Sequence, residues 1–353
     1  MAKKRLALIV LLVVLTITAC GEKTPAEMAP NVISRENVDT LTQIRSLEKM
    51  GFSEITWMSD GLSFAFSKDG HEISVINTQT LKEEQSFTSP SDLYQGFTIS
   101  PKGDRVAILT DECRKVEIWN IKPQELVMSL GDDKNFGGFD ITTFSPDGNS
   151  LVTGGWGEEG IVVMLWDLNS GGLLKEITLT EVIPAWGPTI NSLMISPDGK
   201  GWAALAYDGS LHVYYDDWSL SIPGDGGMAQ GTALAFSPNG DLLAVGGGSF
   251  ANNLRIYDLS TTWPEVIFAL EEPKGIVRSV SFNADGSIIA ATLNGAVLLW
   301  DVETGELLYR LDHKPYATNV AFSPDATLLA TSGYSDTLLA TSDTLRIWGI
   351  TEP

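Results

Sequence analysis

The sequence predicts an all-β fold: a seven-bladed β-propeller of four-stranded antiparallel blades, its last blade closed by a strand from the N-terminus. Three observations carry that prediction. A turn of the Phe-Ser-Pro-Asp-Gly type recurs seven times, at intervals of 40 to 51 residues. Each copy is followed by two short apolar runs, the second usually ending in an aromatic residue and a polar one. The 353 residues include 34 Gly and 10 Trp, which fits many tight turns joining aromatic-bearing strands. Four strands per unit of this length, repeated, is the signature of a ring of blades.

The chain opens on an address. Lys3, Lys4 and Arg5 form a positive region, Leu6 to Leu15 is an unbroken apolar run of ten, and Thr16 to Ala19 is small or mixed. A bilayer span needs about 20 apolar residues, so this run has the proportions of a secretory signal. Ile17-Thr18-Ala19-Cys20, followed by Gly21, resembles a bacterial lipobox. The resemblance implies removal of the signal peptide, residues 1–19, and acylation of Cys20, with palmitate among the expected acyl groups. Several chains anchor stably where a single one is marginal. The expected location is the cell envelope, lipid-anchored to a membrane and facing the extracytoplasmic side. The alternative is a plain signal peptide with a chance cysteine. Residues 20–36 then read as the lipidated cysteine and a short tether, because Pro25 and Pro30 interrupt a stretch with no apolar period.

Residues 37–353 read as the propeller. Val38 to Leu47 has the apolar spacing of an outer strand. The turns follow: Trp57 to Gly61, Ser100 to Gly103 preceded by Phe97, Phe144 to Gly148, Ile195 to Gly199, Phe236 to Gly240, Phe282 to Gly286, and Phe322 to Ala326. Pro presets φ at the first corner, Asp or Asn bonds its own backbone, and Gly takes a positive φ. The third-strand pairs are Ile76-Asn77, Trp119-Asn120, Trp166-Asp167, Tyr215-Asp216, Tyr257-Asp258, Trp300-Asp301 and Trp348-Gly349. A fourth, less apolar strand completes each unit, as in Thr304 to Leu311. The seventh unit supplies Ala317–Ser323, Thr327–Ser332 and Thr344–Ile350, and no fourth strand before Pro353. Residues 38–47 are expected to take that place, which hides an unpaired strand edge. Residues 335–341 are nearly repeated by 342–348, and read as a duplication carried as a longer loop or as a functional loop.

These turns and third-strand pairs resemble the WD-repeat family, specifically its bacterial seven-bladed propellers, over residues 37–350. The resemblance implies a non-catalytic scaffold that binds proteins. It also implies a structural hydrogen-bond network of His313, Asp343 and Trp348 in the last blade. The family's Gly-His dipeptide is almost absent elsewhere, so rigidity in the other blades is expected from packing.

Composition and motifs exclude several activities. There are 45 Asp+Glu against 23 Lys+Arg, a net charge of −22, which argues against a nucleic-acid partner and against adhesion of the folded surface to anionic lipid. His71, His212 and His313 are far apart in sequence, and no catalytic, phosphate-binding or zinc motif is present. No cofactor or metal is expected. The pairs Asp132-Asp133, Glu158-Glu159, Asp216-Asp217 and Glu271-Glu272 read as solvated turn acids, with calcium bound by carboxylates from several blades as the alternative. Cys113 is flanked by Asp111 and Glu112, which raise a thiol pKa and disfavour a nucleophile.

Two aromatic residues outside the repeat pattern point to a binding face. Trp156 is expected in the turn between the second and third strands of blade three, and Trp186 in the connection into blade four. Propeller geometry puts both on one face. Trp is enriched at binding hot spots, and Glu158 and Glu159 beside it would select partners by charge. The function expected is a membrane-anchored, non-catalytic scaffold for protein partners. A propeller enzyme of lactonase, lyase or quinone-dehydrogenase type and a glycan-binding envelope module are the alternatives, because fold alone does not fix function.

Overall fold

The computed structural model describes residues 32–48, 55–68, 72–90, 96–110, 113–131, 136–157, 160–179, 190–206, 208–215, 217–224, 233–248, 254–261, 264–270, 275–293, 295–313, 316–334 and 344–350. Cys20, Glu158, Glu159, Trp186, Asp343, His71, the signal peptide and 335–341 lie outside the described residues. The described residues form seven four-stranded antiparallel sheets. In six of them the strands follow chain order; the seventh is built from both ends of the chain. The inner strands of successive blades lie side by side around the axis. Outer strands such as Glu125–Leu130 and Gly172–Leu179 leave most of their side chains exposed.

The recurrent turn explains its own sequence. In blade three the Ser145 hydroxyl donates to Asp147 at 2.6 Å and accepts from the Ser150 N–H at 2.9 Å. Asp147 then accepts from the Asn149 N–H at 2.9 Å, and the Gly148 N–H returns to the Ser145 carbonyl at 2.8 Å. Blades four, five and seven repeat the serine bond with Asp198, Asn239 and Asp325. Blade two has Lys102 where the others have Asp or Asn, and Ser100 turns to Asp104 instead, at 2.7 Å. Each turn therefore satisfies its orphan donors without help from the core.

One expected pair shifts by a residue. Trp202 of blade four faces Tyr214, and Gly201 faces Tyr215. Tyr214, stacked on Trp202 with centroids 5.5 Å apart, thus occupies the place that Trp166 and Trp300 hold in their blades. The Tyr-Tyr sequence let the pair be read one residue late, and register against the second strand decides it.

Seven apolar clusters fill the seven gaps between blades. Val106, Ile108, Ile73 and Phe87 pack between blades one and two, Leu151, Trp166, Val116 and Ile118 between two and three, and so on around the ring. The last gap is closed by Phe64, Phe66 and Ile76 of blade one against Ala330, Leu345 and Ile347 of blade seven. Across the same seam the Trp57 indole N–H donates to the Ala321 carbonyl at 3.0 Å. Ser279 and Ser281 of blade six reach the Val320 and Phe322 N–H groups of blade seven at 3.2 and 3.1 Å, so inner strands that share no ladder are still joined.

Closure comes from the N-terminal strand, as the sequence predicts. Leu41–Glu48 pairs antiparallel with Thr344–Ile350 as the outer strand of blade seven. Val38–Thr40, expected to be strand, is a short 3-10 turn. Val38 and Leu41 are both buried, and the chain must turn a corner there to bring both inward. The segment before it also belongs to the ring, although its composition reads as tether. Ile33 is fully buried between blades six and seven, and its N–H donates to the Ala326 carbonyl at 2.8 Å. Arg35 Nε lies 2.8 Å from Asp301 Oδ2, and Arg35 Nη1 donates to Glu303 at 3.0 Å.

The ring has two faces. One carries the Ser-Pro-Asp-Gly turns and the turns between third and outer strands; we call it the turn face. The other carries the second-to-third-strand turns and the connections between blades; we call it the loop face. No helix among the described residues is long and apolar enough to cross a membrane.

Candidate protein-binding face

Blade three projects from the loop face. Its strands Phe136–Phe144, Ser150–Gly157 and Gly160–Asp167 have nine, eight and eight residues, against six for Arg105–Thr110 and Lys115–Asn120 of blade two. Two extra residues extend a strand by about 7 Å. Trp156, expected in a turn, lies instead near the end of the long second strand, paired with Ile161. It is 43% exposed. Its indole lies against the Gly137 α-carbon so closely that a β-carbon there would overlap the six-membered ring. The glycine is what lets the indole lie down on backbone with its other side open to solvent.

Two further apolar side chains on this face escaped the sequence reading. Ile276 and Tyr316 stand at the entries to the inner strands of blades six and seven, both exposed. Each rests on a glycine of the preceding blade's second-to-third-strand turn: Ile276 bridges to Gly248, and the Tyr316 ring covers Gly295. Gly295 has φ of 81°, and a β-carbon would run into the Tyr316 ring. Exposed Arg278 stands two residues after Ile276, in the strand Val277–Phe282. The signal was present in the sequence as the Asn294-Gly295 turn and the Gly246 to Gly248 run, but their cross-blade partners are not readable without the ring.

Beneath this face Asp140 occupies a bulge of blade three's inner strand, where pairing skips from Phe139 to Ile141. Its Oδ2 accepts from the Ile190 N–H of blade four at 3.1 Å. Burial pushes its pKa up to about 6 against that hydrogen bond. Cys113 sits in the neighbouring turn of blade two at φ of 66°, its carbonyl accepting from the Phe139 N–H at 2.6 Å. Burial, then the Asp140 carboxylate, raises the Cys113 thiol, which keeps it protonated. Asp111 and Glu112, the expected cause, lie outside the described residues.

The histidines do not converge. His212 is buried in blade four with Nδ1 2.9 Å from Ser221 Oγ, and His313 is buried at the entry to blade seven. Among the described residues no group of three His, Cys, Asp or Glu is placed to hold a metal ion. Of the expected network in the last blade, Trp348 is seen donating from Nε1 to Thr331 Oγ1 at 2.9 Å. Blade three repeats the bond between Trp166 and Thr153 at 2.9 Å.

Comparison with known proteins agrees with the repeat pattern. Residues 234–325 match the family described as anaphase-promoting complex subunit 4 WD40 domain. Residues 305–348, the outer strand of blade six and three strands of blade seven, match the WD domain, G-beta repeat. Small ribosomal subunit protein RACK1y of Oryza sativa subsp. japonica is 27% identical over 212 residues, 58% of this chain and 58% of that protein. WD repeat-containing protein SL1-17 of Schistosoma mansoni is 32% identical over 145 residues, 39% of this chain and 47% of its own length. Protein LST8 homolog of Drosophila melanogaster is 28% identical over 188 residues, 51% and 55% of the two chains. The chain thus spans about half the length of these relatives. Residues 234–348 are thus similar to WD40 repeats and lie within the seven-bladed ring.

Proposed function

We propose that this chain is a membrane-anchored, non-catalytic propeller that binds protein partners through its loop face on the extracytoplasmic side, held by lipid on Cys20. The observation that carries the binding face is the set of exposed Trp156, Ile276, Tyr316 and Arg278, each on a rigid strand or seated on backbone. Aromatic residues and Arg supply most binding energy at protein interfaces, and pre-organisation keeps their ordering cost low. The relatives support the same reading: one is a small ribosomal subunit protein by name, and another, from Saccharomyces cerevisiae, is a target of rapamycin complex subunit. The anchor reading rests on the sequence of residues 1–20.

The binding face and the anchor are tested separately. A photo-crosslinker in place of Tyr316 identifies the partner in the native cell, and titration of that purified partner against the soluble ring gives affinity. Trp156→Ala is expected to weaken binding by about 10- to 30-fold, the range of a hot-spot truncation. Lys200→Ala, on the turn face, is expected to leave it unchanged. Loss with Lys200→Ala and none with Trp156→Ala would move the site to the other face. The mass of the mature N-terminal peptide reads the lipid on Cys20 directly, and Cys20→Ser is expected to release the protein from the membrane fraction.

A further inference from the structure

The point at which the chain enters the ring fixes how an anchored ring would stand. We propose that the turn face is the bilayer-facing surface, that its own carboxylates hold it off the lipid, and that the loop face therefore points away from the membrane. This rests on the anchor at Cys20 proposed above.

Three contacts place the entry. The Ile33 N–H is bonded to the carbonyl of Ala326, in the turn between the first two strands of blade seven. Arg35 is paired with Asp301 and Glu303, at the turn between the third and outer strands of blade six. Both turns belong to the turn face. Asn37 braces the segment, accepting from the Ser34 N–H at 2.8 Å and donating to the Val32 carbonyl at 2.9 Å. Val32, the first described residue, is therefore held at the rim of the turn face. Eleven residues, twelve steps of chain, separate it from Cys20. At full stretch they reach about 40 Å. Presenting the loop face to the lipid would use about 20 Å of that along the side of a six-residue strand, against the exposed edge. Presenting the turn face uses none.

Charge decides the height. The turn face carries Asp60, Asp147, Asp198, Asp285 and Asp325 in one set of turns and Asp167, Asp258 and Glu303 in the other. Lys102 and Lys200 are the basic residues of the first set, Lys82 and Lys122 stand in the second, and Glu303 is paired with Arg35, so acids still outnumber bases on this face. The Ser145 hydroxyl and Asn149 N–H hold Asp147 below the ordinary carboxylate range, and the Ser170 hydroxyl and Asn169 N–H do the same for Asp167. Asp147 and Asp167 therefore stay ionised at physiological pH. Anionic headgroups repel them over about a Debye length, 8–10 Å. The ring then hovers on its tether and does not lie flat.

The test supplies the anchor chemically, so that its result does not depend on whether cells acylate Cys20. All seven blades lie within residues 33–350, so the chain from Cys20 onward retains the whole ring. With Cys113→Ser, Cys20 is the sole thiol and is coupled to a maleimide lipid in phosphatidylcholine vesicles containing phosphatidylglycerol. A clickable azide residue carries a fluorescent donor in place of Gln79 on the turn face or Trp156 on the loop face, and the outer leaflet carries an acceptor lipid. Transfer from the Gln79 site is expected to be at least twofold greater. Equal or reversed transfer would overturn the orientation. Raising salt, or omitting phosphatidylglycerol, is expected to increase transfer from the Gln79 site; no change would overturn the stand-off. An unmodified native N-terminal peptide would instead overturn the anchor reading and leave this orientation result intact.

Discussion

Asp140 is a carboxyl that the fold works against. Its neighbours in space are the Cys113 thiol and the Ile190 N–H, and burial dominates. A carboxyl raised from 3.8 to about 6 binds its proton more tightly folded than unfolded. Stability contributed by the protonated form is therefore lost as pH rises from about 4 through 6. Asp140→Asn keeps an oxygen to accept from Ile190 and has no charge to bury. The variant is expected to melt higher than the parent at pH 7.5, with the gain shrinking to nothing near pH 4; thermal denaturation across that range checks it. A constant difference at all pH values would mean that the gain comes from packing. Thr331 gives a second test at this scale. It is fully buried and accepts from Trp348. Thr331→Val leaves a buried indole N–H without its partner, and is expected to cost about 1–3 kcal/mol, read by thermal or denaturant unfolding. Neither site was legible in the sequence. Asp140 looks like any strand acid until the bulge and blade four enclose it. Thr331 pairs with a tryptophan 17 positions away through strand register that no local pattern reveals.

At the scale of elements the turns were legible and the hairpin tips were not. Ser, Pro, Asp and Gly each have a local bonding role, so the turn is written in consecutive residues. Ordinary strand lengths put Trp156 in a turn, whereas the second and third strands of blade three run two residues further than those of blade two. Gly137 makes the clearest test of that hairpin. Its α-hydrogen faces the Trp156 ring, and a methyl group there must displace the indole. Gly137→Ala is expected to reduce partner affinity about as far as Trp156→Ala does, with an unchanged far-UV circular dichroism spectrum. Full affinity in the glycine variant would show that the ring's seat on the backbone is irrelevant to binding. Ala326 carries the opposite lesson. It stands where other repeats have glycine, at φ of 54°, so Ala326→Gly is expected to raise stability by about 1 kcal/mol by relieving that backbone.

The whole molecule is a chain of seven similar interfaces, and its weak point is where the chain must meet itself. Periodicity made the number of blades and the closing strand readable. It did not reveal the latch ahead of that strand, because Ile33 and Arg35 sit among prolines and polar residues and their partners are some 270 to 290 positions away. The two parts of the closure can be separated. A chain beginning at Leu41 keeps the outer strand but loses Ile33, Arg35 and Val38 from the gap between blades six and seven. Loss of a buried isoleucine alone costs about 2–5 kcal/mol, so this variant is expected to melt several degrees lower while remaining monomeric. A chain beginning after Glu48 also exposes the edge of Thr344–Ile350, and an exposed edge pairs with other chains. It is expected to melt far lower and to self-associate in sedimentation experiments. If the first truncation melts with the parent, the latch is not a structural part of the ring. If the second stays monomeric and melts with the first, the N-terminal strand does not close the ring in solution.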